Sequence, residues 1–414
     1  MNPFEIKPQK IENSFRNWQK LYPKPYDKQE VDPYTKVRII LMNGTEFEAV
    51  WYSHQFTRHC GNNDIRRELA LIRRVEQQQQ KRLNALKPKN ENTLEHALSY
   101  EQLAVDLTAI LSKREKNPIV KQQLDFALLE DFDHLYRYAD LLEFEKGQIA
   151  EKLIGKYTEI MPGRPTIAEH RHPYDDVNFH INNYLSDAVT KLNVGIIIAA
   201  EQQTMNYYMN SANFYTSDLG RKLFNEIAMI EEQHVTGYGC LLDPSATWLE
   251  GLLMHEYTEC YLYYSCYEDE TDAIIKNIFW DMFEEEISHL HKAAELLQLY
   301  EGKHYLQVIP EPNFPELIKF KENINYVREV LKDVRLSKDK ENFTDINSLP
   351  DSHNFFKYQQ KINKNEKYVT SHAVINKHIQ KFDKDYRYTV KAHPIKNLDN
   401  MKKDNINIAR VKGE

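Results

Sequence analysis

Residues 224–238 read FNEIAMIEEQHVTGY. Phe224, Ile227, Ala228, Glu231, His234, Val235 and Tyr238 recur at i, i+3, i+4 and i+7, so they share one face of a helix. That face is apolar except for one acid and one histidine, which therefore point into a core. A buried carboxylate without a partner costs several kcal/mol or gives up its charge, so such residues persist where they are paired or bind metal.

The same pattern recurs outward from this helix. Glu286 and His289 lie with Phe279, Met282, Leu290 and Ala293. Asp131 and His134 lie with Leu124, Ala127, Leu128, Leu135 and Tyr138. Three further segments carry a lone acid on the apolar line: Glu201 with Val194, Ile197, Ile198, Met205 and Tyr208; Glu256 with Leu249, Leu252, Leu253, Cys260 and Tyr263; Glu101 with Leu94, Leu98, Val105 and Thr108. The interval from Glu101 to Asp131 equals those from Glu201 to Glu231 and from Glu256 to Glu286. Each second acid sits at position i of an acid-x-x-His run. The segments form three helical hairpins, at roughly 92–146, 183–242 and 245–300.

An acid on one helix facing acid-x-x-His on its antiparallel neighbour is half of a dinuclear metal site in a helix bundle. Two such hairpins supply four carboxylates and two imidazoles, a donor set suited to iron or manganese. The competing reading is a set of core ion pairs, but few Lys or Arg lie on the faces around Glu201, Glu231, Glu256 and Glu286. With half-sites in this order, a shared site needs a return connection along the bundle. Only the short stretch 235–255 separates His234 from Glu256, whereas 135–200 separates His134 from Glu201. Chain length thus favours pairing the first two hairpins, whereas motif quality favours the last two. Glu201, Glu231 and His234 belong to both pairings.

AAEQQTMNYY (199–208) followed by IAMIEEQH (227–234) resembles a ferritin-like helix pair of the rubrerythrin type. EYTECY (256–261) resembles the third rubrerythrin helix, with E-x-x-E-x-Y ahead of a final Glu286-x-x-His289. The resemblance covers roughly 185–300 and, less clearly, 92–146. It implies two Fe or Mn ions per chain and chemistry on dioxygen or peroxide, with Glu259 as a mobile carboxylate and Tyr208 as a tyrosine beside the centre. The paired CxxC cysteines of a rubredoxin domain are missing: Cys60, Cys240, Cys260 and Cys266 are scattered. This argues against a rubrerythrin peroxidase as such. An oxygenase would need an external electron donor, whereas disproportionation of peroxide needs none.

The 414 residues include only 12 Gly and 16 Pro, as expected of a chain built from long helices. A net charge of −8 gives no nucleic-acid footprint, and the longest apolar run, Val194–Ala200, is too short to span a bilayer. No apolar leader stands out at 1–10, so a cytoplasmic protein is expected, and a homodimer is allowed. His255-Glu256-Tyr257-Thr258-Glu259 ends in Glu where a zincin needs its second His. Glu169-His170-Arg171-His172 with Asp175, Asp176 and His180 sits in a long connection, 147–182, either as a metal or anion site or as loop capping. Gln77–Gln80 reads as a solvated helix face.

Val37–Met42, Asn43-Gly44 and Thr45–Tyr52 read as a β-hairpin, since Asn-Gly suits a type I′ turn. Asp64–Lys87 reads as a helix ending at Pro88. The expectation is an all-α protein: a ferritin-like bundle over 61–304 with an additional helical hairpin. A small N-terminal β-hairpin would lie within 1–60. A polar, partly disordered extension would follow over 305–414, with short helices near 316–333 and 353–364. The rival functions are metal storage and a helical interaction scaffold with structural acids.

Overall fold

A computed structural model describes residues 1–154, 157–364, 369–383, 385 and 387. The helices among them are α1 (Pro33–His59), α2 (Asn63–Ala85), α3 (Thr93–Arg114), α4 (Pro118–Lys146), α5 (Glu151–Ile154), α6 (Ala188–Phe214), α7 (Asp218–Gly239), α8 (Trp248–Asp269), α9 (Ala273–Glu301), α10 (Ile324–Val330), α11 (Asn354–Ile362) and α12 (Thr370–Phe382). Two short antiparallel strands, β1 (Leu336–Asp339) and β2 (Asn342–Asp345), form the one sheet among the described residues. No described helix is long and apolar enough to cross a membrane.

The helix ends follow local chemistry. Asn92 and Thr247 close capping boxes with Glu95 and Glu250, and Asn117, Ser217 and Asp272 cap α4, α7 and α9. Gly147 and Gly302 end α4 and α9 at φ of 66° and 67°, a region a side chain resists.

The chain divides into two compact units, each built from three separate stretches: 1–91, 180–203 and 242–320 in the first; 92–179, 204–241 and 321–414 in the second. In the first unit, α1 packs on α2 and α8 on α9, with α1 against α8 and α2 against α9. In the second, α3 packs on α4, α4 on α7, and α12 covers both α4 and α7. Helix α6 begins in one unit and ends in the other.

Four expectations need correction. First, residues 37–52 are not a β-hairpin but the middle of α1. The Asn43-Gly44 pair lies inside the helix because Gly44 lets α6 come close: a Cβ there would sit 3.0 Å from the Ala199 carbonyl oxygen and 3.1 Å from Gln203 Cβ. Second, α1 and α2 form a fourth helical hairpin, so the boundaries at 60 and 304 do not separate domains. Third, the stretch after 305 is woven into both units. Val308, Ile309 and Ile318 are buried in the first, and Val327, Phe355, Val374 and Ile375 in the second. Its helices run over 324–330, 354–362 and 370–382, and the part of the stretch expected to be partly disordered that follows residue 387 lies outside the described residues. Fourth, Gln79 is buried rather than solvated.

Candidate metal centres

The second unit gathers its acids from three helices. Glu101 on α3, Glu130, Asp131 and His134 on α4, and Glu231 and His234 on α7 are all buried. One ligand atom from each of Glu101, Asp131, His134 and Glu231 lies within 4.8 Å of the others, and the same holds for Asp131, Glu231 and His234. His134 turns Nδ1 inward, 3.1 Å from Glu231 Oε1 and 3.9 Å from Glu101 Oε1. His234 turns Nδ1 inward, 3.1 Å from Glu231 Oε2 and 3.2 Å from Asp131 Oδ1.

Each ring also has an acid behind it. His234 Nε2 meets Glu130 Oε2 at 2.7 Å, and His134 Nε2 faces Glu169 Oε2 at 3.5 Å. A proton held at Nε2 by a carboxylate means that Nδ1, once it gives up its own proton, directs a lone pair into the cluster, as metal-ligating histidines require. Tyr208, on the second unit's part of α6, donates to Glu101 Oε1 at 2.5 Å. The connection after α4 supplies cations: Arg171 pairs with Glu130 and, at 3.0 Å, with Asp176, while Arg164 Nε lies 3.6 Å from Glu130 Oε1.

Charge balance sets the protonation. Burial alone would raise Glu130, but Arg171 and His234 outweigh it and hold the group near 2. Glu231 is likewise held near 2, against the effect of burial, by His134 and His234. Burial works against the His134 imidazolium, yet Glu231 and Glu169 raise it well above the usual range. Glu101 is pushed well up by burial and by Glu231, and Glu169 by burial to about 8.

The first unit holds a second cluster. Glu46 (α1), Glu76 (α2), Glu256 and Glu259 (α8), and Glu286 and His289 (α9) are all fully or almost fully buried. Ligand atoms of Glu76, Glu256 and His289 lie within 4.8 Å of one another. His289 Nδ1 is 2.9 Å from Glu286 Oε2 and 3.8 Å from Glu256 Oε2. Gln79 donates to Glu286, and Tyr263 donates to Glu46. Both Glu256 oxygens, Glu76 Oε2 and His289 Nε2 are buried without a hydrogen-bond partner.

Five carboxylates with a single imidazole among them repel one another. Burial and the neighbouring acids push Glu46, Glu256 and Glu259 well above the ordinary carboxylate range, and burial lifts Glu76 to about 7. Beside this cluster, His255 Nδ1 pairs with Glu48 at 2.9 Å, and its Nε2 faces Glu259 Oε1 at 3.7 Å. His255 is thus tied into the wall by Glu48.

The structure therefore separates the last two hairpins of the sequence, which motif quality had joined. Glu101, Asp131, His134, Glu231, His234 and Tyr208 lie in the second unit, and Glu256, Glu259, Glu286 and His289 in the first. Glu201 is buried on α6, in that helix's first-unit part and two turns before Tyr208. Of the connection's cluster, His172 Nδ1 accepts from the Tyr174 amide and caps a turn, and His180 Nδ1 meets its neighbour's carbonyl. Glu169 and Arg171 are the members that reach the second-unit acids.

Sequence reasoning missed Glu46, Glu76 and Glu130, and it placed Glu169 in a separate cluster of the connection rather than behind His134. A signal for the first pair was present: Glu46 and Glu76 are separated by the same interval as Glu101 and Asp131, and Glu76-x-x-Gln79 is the acid-x-x-His pattern with an amide for the ring. Comparison with protein-family models, curated proteins and solved structures returns no match.

Proposed function

We propose that the chain is a ferritin-like dinuclear iron or manganese protein, an oxidoreductase acting on dioxygen or peroxide. One observation carries this reading: two buried imidazoles turn Nδ1 into a knot of carboxylates while an acid stands behind each Nε2. The donor set fits hard-to-intermediate divalent cations, because Glu101, Asp131 and Glu231 offer oxygen and His134 and His234 offer nitrogen. Two ions belong to this second-unit centre. The unpartnered oxygens of Glu76 and Glu256 fit cations in the first unit as well.

Iron or manganese bound here would supply redox electrons to dioxygen or peroxide. The chain's own residues do the rest. Glu130 and Glu169 fix the tautomer and angle of the two rings. Arg171 and Arg164 hold Glu130 ionised, so it keeps its grip on His234. Tyr208 pins one Glu101 oxygen and leaves Oε2 facing the cluster without a partner. The helices close around the acids and exclude bulk water, which strengthens every charge interaction at the centre. An external electron donor is required for an oxygenase and dispensable for peroxide disproportionation.

Elemental analysis of untagged protein tests the reading. Wild type is expected to hold at least two irons or manganeses per chain, and Glu231→Ala to lose the second unit's share while keeping the first's. Consumption of hydrogen peroxide without a donor then selects catalase-like chemistry. No stoichiometric metal after anaerobic reconstitution with iron and manganese would leave the rival reading, a scaffold with structural acids. The Arg171–Glu130 and His134–Glu231 pairs favour that rival in the second unit, because they already compensate charge internally.

A further inference from the structure

A half-open pocket of about 260 Å³ lies in the first unit between α1, the first half of α6, the start of α8 and the loop before it. Val194, Ile198, Pro244, Trp248 and Met254 give it a mainly apolar lining, and His255 forms part of one wall. The other side of the His255 ring meets the acid cluster, with Nε2 3.7 Å from Glu259 Oε1. One side chain therefore separates the chamber from the carboxylates.

Most polar groups in the lining are already engaged; His255 Nε2, which faces Glu259, and one Glu48 oxygen, which His255 holds by charge, lack a hydrogen bond. Lys191 Nζ donates to the carbonyls of Val308 at 2.7 Å and Asn183 at 3.2 Å. Asp243 accepts from Ser245 and from the Asn183 amide, at 2.7–2.8 Å. Thr45 and Thr258 donate to carbonyls one turn back on their own helices, and Tyr52 donates to the Trp248 carbonyl at 2.7 Å. Glu48 is held by His255, whose ring stacks flat on Tyr52 with centroids 5.8 Å apart. A charged or strongly hydrogen-bonding guest finds little to bind here, and would lose its water without replacement. A hydrocarbon guest loses nothing on entry and removes apolar surface from water.

We propose that this chamber binds an uncharged, mainly hydrocarbon molecule and presents it, across His255, to the first unit's acids as their substrate. A cavity of about 150 Å³ accommodates benzene, so this one suits a guest of roughly ten non-hydrogen atoms. The proposal rests on the metal reading for turnover but not for binding. Small residues make the room: Gly195 lines the chamber, and a Cβ added there would meet only ordinary contacts with Thr258, the nearer at 3.5 Å.

The test is calorimetry on the chelator-treated full-length chain with two probes of matched length, octan-1-ol and octanoate. Octan-1-ol is expected to bind saturably at one per chain, and octanoate at least tenfold more weakly. Gly195→Leu fills the chamber and should weaken octan-1-ol at least tenfold with metal content unchanged. Ala246→Phe does the same from the loop and covers the case in which the helix variant fails to fold. Absence of saturable octan-1-ol binding, equal binding of octanoate, or wild-type binding by a folded variant overturns the inference. Elemental analysis decides the metal reading separately.

Discussion

In the second unit Tyr208 donates to Glu101; in the first, Tyr263 donates to Glu46. Tyr208 lies two helical turns after Glu201, and Tyr263 two turns after Glu256. Glu101 corresponds to Glu46, Asp131 to Glu76, Glu231 to Glu286 and His234 to His289, with the same sequence interval from Glu101 to Asp131 as from Glu46 to Glu76. The two patterns then diverge at two positions. Gln79 stands where the second unit has His134, and Glu259 stands where it has Thr204. Arg164 and Arg171 have no counterpart among the groups that shift Glu46, Glu256 and Glu259, and Arg73 is only the last-ranked influence on Glu76. One sequence pattern thus carries one cluster that buried arginines balance and another in which carboxylates dominate. The unbalanced cluster is the one whose stability depends more on ions from outside.

The largest expected effect follows directly. Adding Mn²⁺ to chelated protein should protect α8–α9 against hydrogen exchange more than α4 and α7. At a hundredfold excess over Kd, binding stabilises by about 2.7 kcal/mol, which raises the melting temperature of a unit this size by roughly 5–10 °C. Equal protection of both units would remove the distinction between them.

Gln79→His comes next, because it gives the first cluster the ring it lacks. Affinity for Co²⁺ or Fe²⁺ should rise about tenfold (~1.4 kcal/mol) and the preference for Mn²⁺ should fall, since nitrogen donors favour the later metals. Competitive titration reads both. An unchanged order of preference would mean that Gln79 lies outside the metal's reach.

The last prediction concerns a cation that the second unit buries outside the cluster of Glu101, Asp131 and Glu231. Lys338 donates to Asn178 Oδ1 at 2.7 Å and to the Val177 carbonyl, and burial, with Arg171 nearby, lowers its ammonium to about 7. The unfolded lysine holds its proton to about 10.4, so between these values the unfolded state binds more protons and stability rises with pH. Wild type should therefore gain stability over Lys338→Met between pH 7 and 10, by at most about 1.4 kcal/mol per pH unit. Denaturant melts across that range check the slope, and parallel curves would exclude it.

Much of the fold was legible from the residues alone. Helices α3, α4 and α6–α9 follow from apolar periodicity, because each buries a continuous stripe. The acids follow from their place on those stripes. Residues 37–52 misled because Asn43-Gly44 satisfies a local turn rule, whereas the glycine answers a tertiary demand, the approach of Ala199 and Gln203. Which hairpins pair was not legible, since both pairings meet the same local rules and only long-range packing chooses. Glu130 was hidden beside Asp131, because its role depends on Arg171, which lies far along the chain in the following connection. The chamber beside His255 had no sequence signature, because a cavity is an arrangement of small and apolar residues from three distant stretches.

The interleaved order of stretches has a consequence for synthesis. Hairpin α1–α2 leaves the ribosome long before α8, the helix that covers Glu46 and its apolar neighbours. With about 160 residues to add in between, at about 5–20 residues per second, a sticky helical face stays without cover for roughly 8–30 seconds. A nascent chain built this way calls for a holding chaperone early, and release only once α9 has emerged.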